Sequence, residues 1–174
     1  MQQPSVCVGI VTRNRAESLR KAIASALRQQ IANLEVVVVD DGSTDDTRTL
    51  SAQFPNVTWI WHEQSAGYVA RRNQLMERGD CKYYVSLDDD AWFVGEDEIA
   101  VAVDRLEQKG SVAAIAFDVL SPDRPQQNPR AAAQPAATFI GCGHVLRMTA
   151  VREVGGYEFN PGEYGGEEIG RAHV

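Results

Sequence analysis

Cysteine is scarce in this chain, with three in 174 residues, at Cys7, Cys81 and Cys142. They are odd in number, far apart and in no metal-binding spacing, so they build neither a zinc site nor a disulfide framework. A reducing cytoplasm is the expected setting, and each thiol, in or beside an apolar run, reads as a small buried hydrophobe. Basic residues are also in deficit, 17 Lys and Arg against 24 Asp and Glu, for a formal net charge of −7. Non-specific nucleic-acid binding needs a basic surface, so this balance argues against it. No apolar run approaches the ~20 residues of a membrane span. The start Met1-Gln2-Gln3-Pro4 lacks the basic and apolar regions of a signal peptide. Peripheral membrane attachment through a partner is compatible with this sequence. Repeats and heptads are absent. What is present, 44% apolar and 24% charged residues, suits one globular domain with a real core and leaves the oligomeric state open.

Hydrophobic patterning gives a strand–helix alternation. Ser5 to Val11 is β-branched and apolar and reads as a first strand ending at Thr12-Arg13-Asn14-Arg15. Asn14 with Glu17 has the form of an N-cap and its box partner, and Leu19, Ala22, Ile23, Ala26 and Leu27 then recur at helical spacing. Leu34 to Val39 is a near-continuous aliphatic run, as a parallel strand covered on both faces should be. It ends at Asp40-Asp41-Gly42-Ser43, where Ser43 reads as the N-cap of a second helix. Val57 to Trp61 makes a third strand, and Gly67 to Arg78 a helix carrying Arg71, Arg72 and Asn73. The central strand runs from Tyr83 into Asp88-Asp89-Asp90. A helix from Glu96 or Asp97 stops at Gly110, and Val112 to Val119 and Gly141 to Met148 are further strands. Ser121 to Ala137, with four prolines, reads as a long loop at the ligand edge. Glu167-Glu168, after Gly165-Gly166, reads as a helix start. The expected fold is α/β, a Rossmann-like, mostly parallel sheet with helices on both faces.

The acids at the strand ends carry the chemistry. Ligands of open α/β sheets bind in the crevice outside the carboxyl ends of the strands. Asp88, Asp89 and Asp90 cannot all be buried there unpaired, because desolvating a lone carboxylate is costly. A hard divalent cation carrying a phosphate would satisfy them; so would simple solvation of an acidic turn. Asp40 and Asp41 stand at a second strand end, while Thr12 and Arg13 lie on the loop after the first. Arginine at the start of the Gly67 helix can face phosphates.

The runs Val8 to Arg15, Val38-Val39-Asp40-Asp41-Gly42-Ser43-Thr44-Asp45, Ala70-Arg71-Arg72-Asn73 and Leu87-Asp88-Asp89-Asp90 together resemble family 2 glycosyltransferases. Val154-Gly155-Gly156-Tyr157 and Gly165-Gly166-Glu167-Glu168 resemble the family's Gly-Gly-aromatic segment and late acidic motif. The resemblance covers nearly the whole chain in the family's order. It implies the GT-A fold as a single domain, residues 1–174. Within it, 1–90 would be the nucleotide-sugar-binding half ending in a DxD motif, and 91–174 an acceptor-side half.

It also implies a metal-dependent inverting glycosyltransferase. The donor would be a nucleotide-sugar, with a UDP-sugar favoured, and the acceptor hydroxyl would sit on a carbohydrate or a lipid-linked acceptor. Thr12 and Asp41 match residues that hold the base, and Arg72 matches the arginine that seats the nucleotide. Asp90, together with Asp88, matches the residues that hold Mn²⁺ or Mg²⁺ on the diphosphate, and the acids before Asp90, Asp88 and Asp89, match those that face ribose and metal-bound water. Glu168, or else Glu167, matches the base that deprotonates the acceptor. The chain departs from the family in having Glu63, Gln64 and Ser65 where an asparagine is usual. It also stops at Val174, where relatives continue with a further helix, so the acceptor-side half is expected to be incomplete. The alternative reading is a catalytically weak nucleotide-binding module without a complete acceptor site. A nucleotidyltransferase would want a glycine-rich loop after the first strand, and Thr12 to Glu17 has no glycine.

Overall fold

The computed structural model describes residues 6–78, 81–121, 134–136, 141–159 and 167–169. The first half contains β1 (Val6–Thr12), α1 (Ala16–Leu27), β2 (Leu34–Asp41), a 3-10 turn (Asp46–Thr49) running into the short α2 (Leu50–Gln53), and β3 (Thr58–His62). Then come α3 (Tyr68–Glu77), β4 (Tyr83–Asp88), α4 (Glu98–Gln108) and β5 (Ala114–Ala116). The last described elements are β6 (His144–Arg147), α5 (Met148–Val154), β7 (Tyr157–Phe159) and β8 (Glu167–Ile169).

Six strands form one sheet in the order β3-β2-β1-β4-β6-β5, and β7-β8 form a separate two-stranded ribbon. β1 pairs in parallel with β2 and β4, and β2 with β3, whereas β6 runs antiparallel to both β4 and β5. The sheet is thus mostly parallel, with helices on both faces, as the alternation implies. Chain order reverses between β1 and β4, the place where such sheets open a ligand crevice.

Burial on both faces explains the aliphatic runs. On one face Val6, Val8, Ile10, Val36, Val38, Val85 and Leu87 pack against Leu19, Ile23 and Ala26 of α1 and Ile99 and Leu106 of α4. On the other, Cys7, Val37, Val39 and Tyr84 pack against Val69, Leu75 and Met76 of α3 and Met148 and Val151 of α5. Gly9 is needed there: a Cβ at this position would lie 2.6 Å from the Tyr84 ring.

Several local expectations are corrected. Asn14 is not the cap of α1: it sits at φ 55°, and its Oδ1 accepts from the Thr44 amide at 2.7 Å. The Ala16 amide at the start of α1 instead donates to Asp45, 29 residues away in sequence. Asp45, not Ser43, also caps the following 3-10 turn by accepting from the Thr47 amide. One carboxylate therefore serves two helix starts, which a local motif search cannot see. Glu167 and Glu168 do not open a helix; they lie in β8, with Glu168 paired to Glu158 and Glu167 to Phe159. The expected loop over Ser121 to Ala137 falls largely outside the described residues.

Candidate functional site

The cluster of side chains at the switch point is built from three strand ends and one helix. Thr12 closes β1 and is buried, and its hydroxyl donates to Asp89 Oδ2 at 2.8 Å. Asp89 follows β4 and is also buried; burial pushes its carboxyl above the usual range, against the pull of Thr12 and Arg15. Arg15 spans Asp89 at 3.3 Å and Asp90 at 2.6 Å, so the two acids share one guanidinium. Asp88, whose side chain is 31% exposed, pairs with the buried Arg72 of α3. The Arg72 guanidinium also lies 5.3 Å from the Tyr68 ring centroid, a cation–π contact that fixes its direction. Cys142 stands beside Asp88, and burial together with that charge pushes its thiol up to about 12, which keeps it protonated.

Asp40 and Asp41 part company at the end of β2, because successive strand residues face opposite sides. Asp40 is fully buried, accepts from the Ser43 amide and lies 4.0 Å from the Arg48 guanidinium. Asp41 turns to the α3 side. Its Oδ1 accepts from the Ala66 amide (2.8 Å) and Arg71 Nε (2.7 Å), and its Oδ2 from the Ser65 hydroxyl (2.5 Å) and the Gly67 amide (2.9 Å). Burial alone would raise the Asp41 carboxyl, but these four donors outweigh it and hold it at about 2. Four donors fill the acceptor positions of a carboxylate. Gly42 permits the arrangement: at φ +79° it passes 3.2 Å, measured from where its Cβ would be, from the Gln64–Ser65 backbone.

The structure thus gathers Thr12, Arg72, Asp88, Asp89 and Asp90 at the switch point, with Asp41 organising the neighbouring loop 65–67 and Arg71. Arg13 is exposed on the loop after β1. Glu167 and Glu168 stand on the separate ribbon. Arg15, Ser65 and Arg71 were missed from sequence; their roles depend on partners 24 to 75 residues away.

The donor set suits a hard cation, since Asp88 and the 55%-exposed Asp90 offer carboxylate oxygens at an accessible strand end. Among the described residues no group of three or more His, Cys, Asp or Glu side chains is arranged to hold a metal. Mg²⁺ commonly takes only one or two carboxylates and completes its shell with phosphate and water, so a two-acid site is compatible with it. Among the same residues no helix is long and apolar enough to cross a membrane.

Comparison with known proteins agrees with this geometry. A family profile described as glycosyl transferase family 2 matches residues 7–155. The Escherichia coli putative colanic acid biosynthesis glycosyl transferase WcaA is 32% identical over 91 residues, half of this chain and 33% of that protein. The Bacillus subtilis putative teichuronic acid biosynthesis glycosyltransferase TuaG is 32% identical over 95 residues, covering 52% of this chain and 38% of its own length. The chain therefore spans about a third of such relatives. The solved mannosyltransferase PcManGT of Pyrobaculum calidifontis, in complex with GDP-Man and Mn²⁺, superposes with a TM-score of 0.74 at 23% identity, over 91% of this chain and 48% of that one. S. aureus TarS in complex with UDP-GlcNAc gives 0.69 at 18% identity, over 86% of this chain and 47% of that one.

Proposed function

The chain belongs to glycosyl transferase family 2, with the GT-A fold, and from that premise we propose that it is a metal-dependent inverting transferase. In this reading it passes a sugar from a nucleotide donor to an acceptor hydroxyl, with the two halves 1–90 and 91–174 serving donor and acceptor. The observation that carries the reading is the convergence of Thr12, Arg72, Asp88, Asp89 and Asp90 on the β1–β4 switch point.

The base end lies between Thr12 and Asp41. For Asp41 to accept from a uracil imide, one of its four protein donors must yield, and the rotatable Ser65 hydroxyl gives way at least cost. Arg13 follows Thr12 on the exposed loop after β1, and Asp40 braces the β2 turn through the Ser43 amide. Arg72 supplies positive charge toward the diphosphate. Asp90 and Asp88 would hold Mn²⁺ or Mg²⁺, which neutralises charge building on the departing nucleoside diphosphate. Arg15 and Arg72 neutralise these carboxylates in the structure described, so nucleotide and cation must compete for acids already paired. Glu168 is the proposed base, with Glu167 the other candidate. A UDP-sugar is the favoured donor. Relatives named for colanic and teichuronic acid biosynthesis support a carbohydrate or lipid-linked acceptor. Free Cys7, Cys81 and Cys142 suit a cytoplasmic location.

Transfer from UDP-GlcNAc and GDP-Man to a panel of carbohydrate acceptors tests the reading. Glu168→Gln should leave nucleotide affinity unchanged and remove transfer, whereas undiminished transfer in both Glu167→Gln and Glu168→Gln would sink the base assignment.

A further inference from the structure

Helix α3 joins four parts of the molecule through four consecutive residues. Arg71 binds Asp41 at the end of β2, and Arg72 binds Asp88 at the end of β4. Gln74 lies 3.0 Å from His62 of β3. The remaining member, Asn73, reaches the acceptor-side ribbon. Its Nδ2 donates to the Tyr157 carbonyl at 2.8 Å, and its Oδ1 accepts from the Tyr157 amide at 2.7 Å. One carboxamide so satisfies both backbone groups of a single residue, as a neighbouring strand would.

Two further features converge on the same point. A Cβ on Gly156 would lie 2.4 Å from Asn73 Oδ1 and 3.0 Å from its Cγ, so the residue before Tyr157 has no room for a side chain while Asn73 keeps this pose. The Tyr157 side chain is buried, and its hydroxyl lies 2.5 Å from His144 Nε2 on β6. A lone two-stranded ribbon is marginal in water and must be docked to hold a fixed position. The ribbon here is β7 with β8, and β8 carries Glu167 and Glu168.

We propose that Asn73 is a positioning residue for transfer. Its carboxamide clasps Tyr157, and through β7 it fixes the strand bearing Glu168 relative to Arg72, the preceding residue on the same helix. Donor and acceptor sides are then registered through one turn of α3. The consequence for transfer rests on the roles given above to Glu168 and Arg72; the docking itself does not.

The test is a double-mutant cycle with Asn73→Ala and Gly156→Ala. Amide exchange at Tyr157 should quicken roughly tenfold or more in Asn73→Ala, as expected for losing two neutral hydrogen bonds. Amides of β1 and β2 should be unaffected. Gly156→Ala should show the same loss, because its methyl group evicts Asn73. In the Asn73→Ala background that methyl group meets no carboxamide, so the second substitution should add nothing. UDP or GDP affinity should stay within about threefold throughout, while kcat falls with donor KM unchanged. Unchanged Tyr157 exchange in Asn73→Ala, or additive losses in the double variant, would overturn the clasp. Altered exchange with undiminished kcat would overturn the positioning role. A wild-type protein that binds neither UDP nor GDP would instead strike at the proposed function, and the exchange cycle would still decide the docking.

Discussion

Replacing Asp41 by asparagine keeps the side chain's size and removes half of its accepting capacity. The group is 3% exposed, so water cannot replace what is lost. The best orientation leaves the amide oxygen facing the Ala66 amide and Arg71, where Oδ1 stands. The new NH₂ then faces the Ser65 hydroxyl and the Gly67 amide. The hydroxyl can rotate and accept, but the backbone N–H cannot. An orphaned N–H costs about 1–3 kcal/mol, and the Arg71 bond loses the extra strength of a charge-assisted contact, about 1 kcal/mol. The total is about 3 kcal/mol, which for a domain of this size lowers Tm by roughly 6–12 °C. Nucleotide affinity should fall with it if the proposed base site is right, since the loop 65–67 and Arg71 hang on the same carboxylate. The effect must also depend on pH. The Asp41 carboxyl is lowered from 3.8 to about 2, so its contribution is complete above pH 3.8 and is lost as pH falls through about 2. That lowering corresponds to about 2 kcal/mol, of which about 1 kcal/mol is gone by pH 3. Urea unfolding of both proteins between pH 3 and 7 measures this directly. A variant as stable as wild type at pH 7, or a difference that does not narrow below pH 4, would show that the Asp41 carboxylate does not hold this loop.

Asp90→Ala should remove Mn²⁺-dependent binding of nucleoside diphosphate while leaving melting nearly unchanged. Its bond to Arg15 joins two half-exposed side chains, and such pairs contribute about 0–1 kcal/mol; binding with unaltered metal dependence would exclude Asp90 as a ligand. His144 predicts an acid-labile fold. Burial first, and the Arg72 charge second, lower its pKa from 6.5 to about 4, so the unfolded chain takes up a proton that the folded one refuses. Stability is therefore full above pH 6.5 and falls by up to about 3 kcal/mol on going down to pH 4. His144→Gln should flatten that part of the urea-midpoint profile, and an unchanged slope would show that another group is responsible.

What the sequence made legible were features written in contiguous residues. The aliphatic runs of β1, β2 and β4 and their acidic ends needed only a short window, and so did the apolar faces of α1 and α4. Direction and distant pairing were not legible. His144 to Arg147 looks like any short strand, and only its register with Tyr83 to Ser86 makes it antiparallel. Glu167-Glu168 after two glycines has the form of a helix start, yet pairing with β7 made it a strand. Asp41 was marked by its place at a strand end. Its donors come from a polar loop with no signal beyond Gly67, and from Arg71, which a helix pattern leaves free to face anywhere. Asn73 was legible as part of a motif and not as a clasp, because Tyr157 lies 84 residues further on.

The β1–β4 switch point is proposed as a donor nucleotide site. Calorimetric titration of the 174-residue chain with UDP, GDP and dTDP, each with and without Mn²⁺, tests it most directly. One nucleotide, UDP foremost, should bind with an affinity that Mn²⁺ strengthens and Arg72→Ala weakens. Absence of binding by all three in the presence of Mn²⁺, or binding indifferent to both Mn²⁺ and Arg72, would contradict it.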